Sequence, residues 1–418
     1  MPKAIIVVGG EVLTCSVSDA LPCDTDAIRN NVLYKIDSIN RKNIDRLICR
    51  HTGSLAYVPD FKMLQGSESC QIPLAINSVG GSSLDPASQN FFSSLQAVEQ
   101  AQYISVRDSV THKLINEFNH ELPSADLNPD IVSTLKICYA REVEIAFTSA
   151  ISIYSWLLKP YLLFQVNDDY FRKNDLHRVG EVLANTATTL NLNLVFQPAG
   201  IAPGHDSFAM LDQLAQIARK YMDKSKHIHT QLDRNVWTQV GFIANAACFV
   251  GTSLHGRIVA TAFSRPRVGL ENSKVNAYVS TWEELNFQPF DVPIEELLAS
   301  VKKAMSISSA IMDLYADHQA KLALLGFTSL RKKLNLSEFD GDVNFVKEQI
   351  HHITELALLQ ESEALRDAVI DLGYELSLEQ AKKKLPQNKM LKFFKWQKTK
   401  ASCALAWIVT KARASGIF

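Results

Sequence analysis

The chain has 418 residues, 47% of them hydrophobic, and a formal net charge of −1. At roughly 100–200 residues per domain the length suggests two domains, and the apolar fraction excludes a disordered chain. The 17 glycines and 14 prolines fall below the average usage of about 7% and 5%, which excludes collagen-like and linker-rich architecture. No apolar run approaches the roughly 18 residues that span a bilayer. The stretch 1–10 has only Lys3 as a cationic flank and no cleavage-like site, so it does not read as a secretory signal. Seven cysteines, at 15, 23, 49, 70, 138, 248 and 403, form no Cys-x-x-Cys pair. They read as reduced thiols of a cytosolic protein.

The chain opens on a β-rich run, Ala4–Val8, ending in Gly9-Gly10. A second strand is expected at Pro73–Ile76, before Val79-Gly80-Gly81, and a third at Tyr103–Val106, followed by Arg107-Asp108 and a helix from Ser109 to about Phe118. Alternating strands and helices argue for a parallel α/β sheet. The pattern restarts after an apolar helical bridge around Val143–Leu158. Strands are expected at Tyr161–Val166, Leu194–Phe196, Ile228–Leu232, Cys248–Val250 and Arg267–Leu270. The intervening helices are Leu176–Leu190, Ser207–Tyr221, Val236–Asn245 and Arg257–Phe263, and beyond Ile294 only helical patterns follow. The expected organisation is an N-terminal Rossmann-like domain over 1–142, a C-terminal one with its linking helix over 143–330, and a helical extension over 331–418.

Of the 43 basic and 44 acidic residues, ten basic and no acidic ones lie from Ala381 onward. Met390, Phe394, Ala401, Leu405 and Ile408 share one helical face, with Lys392, Lys395 and Lys398 on the opposite arc and Trp396 and Trp407 as interface-type rings. A basic amphipathic helix of this kind reads as membrane-surface binding by 389–418; the alternative is that the face packs on the N-terminal domain. No nucleic-acid reading motif accompanies the charge.

In open parallel sheets, ligands bind beyond the carboxyl ends of the strands. Two such ends carry unusual polar residues: Arg107-Asp108, and the run Gly251-Thr252-Ser253-Leu254-His255-Gly256. A glycine-flanked turn into a helix offers free amides and a positive dipole end, a seat for phosphate or carboxylate. Bland readings stand beside these: an Arg-Asp ion pair, Asp108 or His205-Asp206 as helix caps, and Gly9-Gly10 and Gly80-Gly81 as plain turns. His227 and His229 alternate on a strand without a third ligand, so no metal site is expected. No Walker motif, no Gly-x-Gly-x-x-Gly after the first strand and no Gly-x-Ser-x-Gly elbow occurs, which disfavours nucleotide hydrolysis, classical dinucleotide binding and hydrolase chemistry.

The ordered set resembles the polysaccharide pyruvyl transferase family. Tyr103–Asp108 with Thr111 is similar to its sVRDxxS/T motif, and Val250–Gly256, continuing through Ala260 to Pro266 and Gly269, to its S-x-L-H-G segment. Lys274 with Trp282 is similar to its closing Lys…Trp pattern, Val7–Leu13 to its Gly-Gly turn, and Asn128-Pro129-Asp130 to its entry into the second domain. The resemblance implies a fold similar to B-type glycosyltransferases, with two Rossmann-like domains facing a cleft. It implies transfer of pyruvate from phosphoenolpyruvate onto sugar hydroxyls as a ketal, with no cofactor beyond that donor. The acceptor would be a glycan or lipid-linked glycan of a surface polysaccharide, and the location cytoplasmic, with the tail at the inner face of the membrane. It makes His255 and Arg107 the catalytic candidates and Gly251, Thr252, Ser253, Gly256 and Lys274 the donor-binding ones. Gly9, Gly10, Asp108, His205 and Asp206 are expected near the cleft, with domain closure bringing Arg107 and His255 to one anion.

Two features depart from the family. Ser253 stands where better-studied members carry an arginine, and the family's opening Asn-x-Gly-Asp segment is not seen, so the N-terminal domain reads as truncated. Two other readings stay open: a nucleotide-sugar glycosyltransferase of similar fold, and a divergent, non-catalytic member.

Overall fold

The computed structural model describes residues 4–15, 55, 57–58, 72–118, 124–200, 206–233, 235–283 and 287–336. His205 and the basic tail at 389–418 lie outside the described residues. Met1–Glu338 form one compact unit, and within it two parallel sheets are seen.

The first sheet has the order β1-β2-β3-β4, from β1 (Ile5–Val8), β2 (Leu74–Val79), β3 (Tyr103–Val106) and β4 (Asp126–Leu127). Every β2 and β3 residue is buried, as expected of strands covered on both faces. The β2–β3 register shifts between Ile76 and Val79. Ser78 takes φ +52° there, and its amide donates to Ser105 Oγ at 2.8 Å. Two helices follow these strands, α1 (Gln89–Gln100) and α2 (Ser109–Phe118). A 3-10 turn, Ile131–Thr134, leads into α3 (Leu135–Ile153).

The second sheet has the order β7-β6-β5-β8-β9. Its strands are β5 (Tyr161–Gln165), β6 (Asn193–Phe196), β7 (Ile228–Thr230), β8 (Cys248–Gly251) and β9 (Arg267–Gly269). Short α4 (Asp168–Lys173) precedes α5 (Leu176–Thr189), α6 (Phe208–Tyr221) and α7 (Val236–Asn245). Then come α8 (Leu254–Ala262), α9 (Ser273–Trp282), α10 (Leu297–Ser306) and α11 (Ser309–Lys333). The sheet grows outward from β5 in one direction and resumes at β8 in the other. The β5/β8 border is therefore the topological switch point, where α/β proteins place their ligands.

Sequence reading and structure agree on the parallel α/β architecture; differences fall at element ends. The helix expected from Arg257 starts at Leu254, because Ser253 Oγ accepts the Gly256 amide at 3.1 Å and caps it. The cap of α6 is Ser207, whose Oγ accepts from Met210, and not His205-Asp206. Asp is as good an N-cap as Ser, but the Asp206 carboxylate is engaged by Gln165 and Ala199.

The last described helix ties the two sheets together. Gln319, midway along α11, accepts from the Tyr278 hydroxyl of α9 at 3.1 Å. Farther on, Leu330 and Leu334 pack with Ala75 and Tyr103 of the first sheet. Tyr103 donates to the Gly326 carbonyl at 3.2 Å and accepts from Asn128 at 2.9 Å. Among the described residues no helix is long and apolar enough to cross a membrane.

Candidate functional site

The carboxyl ends of β3 and β8 meet. Arg107, directly after β3, donates from Nη1 to Asp130 Oδ2 at 2.9 Å. The same Nη1 lies 3.3 Å from Nε2 of His255. His255 is the second residue of α8, so both sequence-predicted catalytic candidates share one cluster. Its Nε2 also lies 3.5 Å from Asp130 Oδ2. The His255 side chain is 52% exposed, whereas that of Arg107 is 2% exposed and that of Asp130 fully buried. Nη2 of Arg107 completes the cluster, donating to Glu11 Oε1 at 2.7 Å.

Of the two readings of Arg107, the ion pair is seen, but with Asp130 and Glu11 and not with the neighbouring Asp108. Arg107 is buried between two carboxylates, because a guanidinium withdrawn from water needs paired charge. Burial alone would lower its pKa, but Asp130 and Glu11 outweigh burial and raise it. Asp130 is pushed up by burial and down by the hydrogen bond and charge of His255 and the charge of Arg107, and ends well below the usual carboxylate range. Its other oxygen accepts the Val132 amide at 3.1 Å, capping the 3-10 turn.

A carboxyl with a depressed folded-state pKa stabilises the fold above the unfolded-state value, about 3.9 for Asp. That stability is lost as pH falls through the lower, folded-state value. Unfolding free energy should thus drop on acidification below about pH 4, and Asp130→Asn should flatten part of that drop. Denaturant titrations over the acid range check this; parallel profiles for the two proteins would show that the pair contributes nothing.

Several other candidates prove to be structural. Asp108 is buried, and its carboxylate accepts from the amide and hydroxyl of Thr111 at 2.8 and 2.9 Å. It caps α2 instead of facing a cleft, and burial raises its pKa. Asp206 is also buried, accepting Gln165 Nε2 at 2.8 Å and the Ala199 amide at 2.5 Å. Gly251 and Gly256 serve close packing. A Cβ on Gly251 would sit 2.5 Å from the Gln165 carbonyl, and one on Gly256 2.5 Å from the Phe249 ring.

Thr252 is buried, its amide donating to the Gln165 carbonyl at 3.1 Å and its Oγ1 accepting from Asn167 at 3.3 Å. The Ser253 amide donates to Gln165 Oε1 at 2.8 Å. Gln165, at the end of β5, thus occupies the switch point and takes two groups that sequence reading offered to phosphate. The amides of Leu254 and His255 remain, since the first helical turn has no intrahelical acceptor for them. Lys274 lies in the first turn of α9, half-buried. The cap of that helix, Asn272, donates to the Thr252 carbonyl at 2.9 Å and so ties the start of α9 to the β8–α8 turn.

Gly9 and Gly10 take φ of +63° and +70°, a region that only glycine enters at low cost. The Gly10 carbonyl accepts the Gly80 amide at 2.7 Å, and the turn delivers Glu11 to Arg107. The two halves are also pinned beside the cluster. Trp282 donates to the Arg107 carbonyl at 2.7 Å, and the Ser109 amide to Thr281 Oγ1 at 2.9 Å. Arg107 and His255 are thus already in contact, and no closing motion is needed to bring them together. Among the described residues no group of three His, Cys, Asp or Glu is placed to hold a metal.

Glu11 and Gln165 were missed in sequence, and Asp130 was noted only within Asn-Pro-Asp. Each follows a recognisable signal: a Gly-Gly turn, a polar residue ending an apolar strand, and an acid after proline at a domain junction.

The model of the family described as polysaccharide pyruvyl transferase matches residues 51–274, more than half of the chain. The chain belongs to the polysaccharide pyruvyl transferase family. Both motif ends that meet at the junction, Arg107 and His255, lie inside that span. No curated protein matches the chain. Similar solved structures include the UDP-GlcNAc 2-epimerase of Methanocaldococcus jannaschii, at 11% identity over 73% of this chain and 94% of that one, TM-score 0.45. A putative UDP-N-acetylglucosamine 2-epimerase of Listeria monocytogenes gives 9% identity over 82% and 76%, TM-score 0.44. A trehalose-phosphate synthase of Burkholderia xenovorans gives 11% over 77% and 84%, TM-score 0.43.

Proposed function

We propose that this chain transfers pyruvate from phosphoenolpyruvate onto sugar hydroxyls of a polysaccharide precursor, forming a ketal, with His255 as the acid. The observation that carries the reading is the meeting of a half-exposed His255, on the opening turn of α8, with Arg107 from the other sheet. As an imidazolium, His255 sets Nε2–H against Asp130 Oδ2, 3.5 Å away, which leaves Nδ1–H as the proton to deliver. Delivery of the Nδ1 proton to the methylene carbon of the enol forms a C–H bond and leaves an oxocarbenium-like centre. One sugar hydroxyl adds there and loses its proton. A second hydroxyl then forms the other C–O bond and gives up its proton as the phosphate leaves with its bonding electron pair and takes that proton. The amides of Leu254 and His255 and the ammonium of Lys274 are the donor's phosphate ligands in this reading.

A non-catalytic role is the second reading, favoured by one observation: the charge of Arg107 is already matched by Glu11 and Asp130. An assay in heavy water separates the two. The chain, phosphoenolpyruvate and a panel of hexose-containing acceptors should release phosphate and give a ketal whose methyl group carries one deuterium. No phosphate release with any acceptor, from a protein that melts cooperatively, would favour the non-catalytic reading.

A further inference from the structure

The pairing on Arg107 is uneven. Its Nη1 side is fixed: Asp130 is fully buried and is itself held by the 3-10 turn it caps. On the other side, the Nε/Nη2 edge is the fork that normally takes both oxygens of a carboxylate or phosphate in two parallel bonds. Glu11 makes only one of these, Oε1 to Nη2. Arg107 Nε and Glu11 Oε2 are both buried and both lack a partner. Two such orphaned groups are costly, and a well-seated acceptor would satisfy the guanidinium.

Glu11 is also the looser of the two acids, 15% exposed against none for Asp130. Gly80 keeps the edge clear of a side chain: a Cβ there would lie 2.5 Å from Glu11 Oε1, 2.6 Å from Nη2 and 2.8 Å from Nε, and would block the fork and its present occupant alike.

We propose that Glu11 is a displaceable placeholder on Arg107, and that the Nε/Nη2 edge is the seat of a ligand carboxylate or phosphate that takes both donors. The exchange replaces one anion by another, so Arg107 keeps two anionic neighbours throughout while Glu11 moves to water. The inference rests on the reading of this junction as a donor site, since phosphoenolpyruvate carries both groups. It adds that the resting protein inhibits its own anion site.

The test is calorimetric titration of the full chain with inorganic phosphate, pyruvate and phosphoenolpyruvate, in the wild type, Glu11→Gln and Glu11→Ala. Removing the competing charge should tighten binding of at least one single-group anion by about tenfold or more. The anion that gains, phosphate or pyruvate, identifies the group that seats on the fork. Unchanged or weaker affinity in variants that still melt cooperatively would overturn the placeholder. If the variants do not fold, the Arg107 Nε–H resonance of the wild type decides. It should move downfield as phosphate or pyruvate is added, and a fixed resonance up to the highest concentration of both overturns the proposal. Gain of affinity without pyruvyl transfer would leave the placeholder standing and remove the transferase reading. Transfer without the gain would do the reverse.

Discussion

Replacing His255 by alanine should lower pyruvate transfer by about two to four orders of magnitude, the usual worth of a positioned general acid, and leave the melting temperature unchanged. The side chain is half-exposed, so truncation opens no cavity. Helix α8 keeps its start, because its cap is Ser253 and not the histidine. Arg107 keeps both of its carboxylates. A loss that appears in kcat, with phosphoenolpyruvate affinity altered by much less, would place the residue in the chemical step. A lower melting temperature together with the loss would instead make His255 a structural element of the junction.

Glu283→Ala should destabilise the described fold strongly. Its carboxylate is buried between two buried arginines. Arg257 donates from Nη2 to Oε2 at 2.9 Å, and Arg267 from Nε to Oε1 at 3.3 Å. Burial alone would push the carboxyl up, but the two arginines overcome it and lower it. Burial also lowers the Arg267 guanidinium, with Glu283 as its counterweight. Without Glu283 two cations remain in the interior with no counter-charge, held by carbonyls such as Pro289 and Gln288 for Arg257 and by the Phe287 ring, 5.4 Å from Arg267. Breaking a buried pair on one side costs about 3–5 kcal/mol, which denaturant unfolding reads directly. Because Glu283 follows Trp282, whose indole holds the Arg107 carbonyl, the damage should reach the junction as well. A cost below about 1 kcal/mol, the level of an exposed pair, would mean that the triad is not the anchor described.

Much of this fold was legible because its strands are short apolar runs followed by glycine or polar residues. Tyr161–Gln165 and Cys248–Gly251 are buried at every position, and such runs announce a covered parallel strand. Helix starts were less legible because capping is decided by a single hydroxyl: Ser207 caps its helix where His205-Asp206 was expected to, and Ser253 starts another three residues before Arg257. The site was half legible. Arg107 and His255 were found from their places at strand ends, 148 residues apart. What neutralises Arg107 was not, because Glu11 and Asp130 lie 96 and 23 residues away and no local pattern links them. The switch point was also misjudged. The Thr252 and Ser253 amides, which the Gly-Thr-Ser sequence offers to phosphate, are taken by Gln165, a partner set by the β5–β8 register.

The most direct test of the central claim is calorimetric titration of phosphoenolpyruvate into the full wild-type chain and into Arg107→Met and His255→Ala. If Arg107 and His255 form one anion site, the wild type should show saturable one-site binding. Arg107→Met should lose it, and His255→Ala should retain it more weakly. Absence of binding to the wild type, or equal binding by all three proteins, would contradict the account.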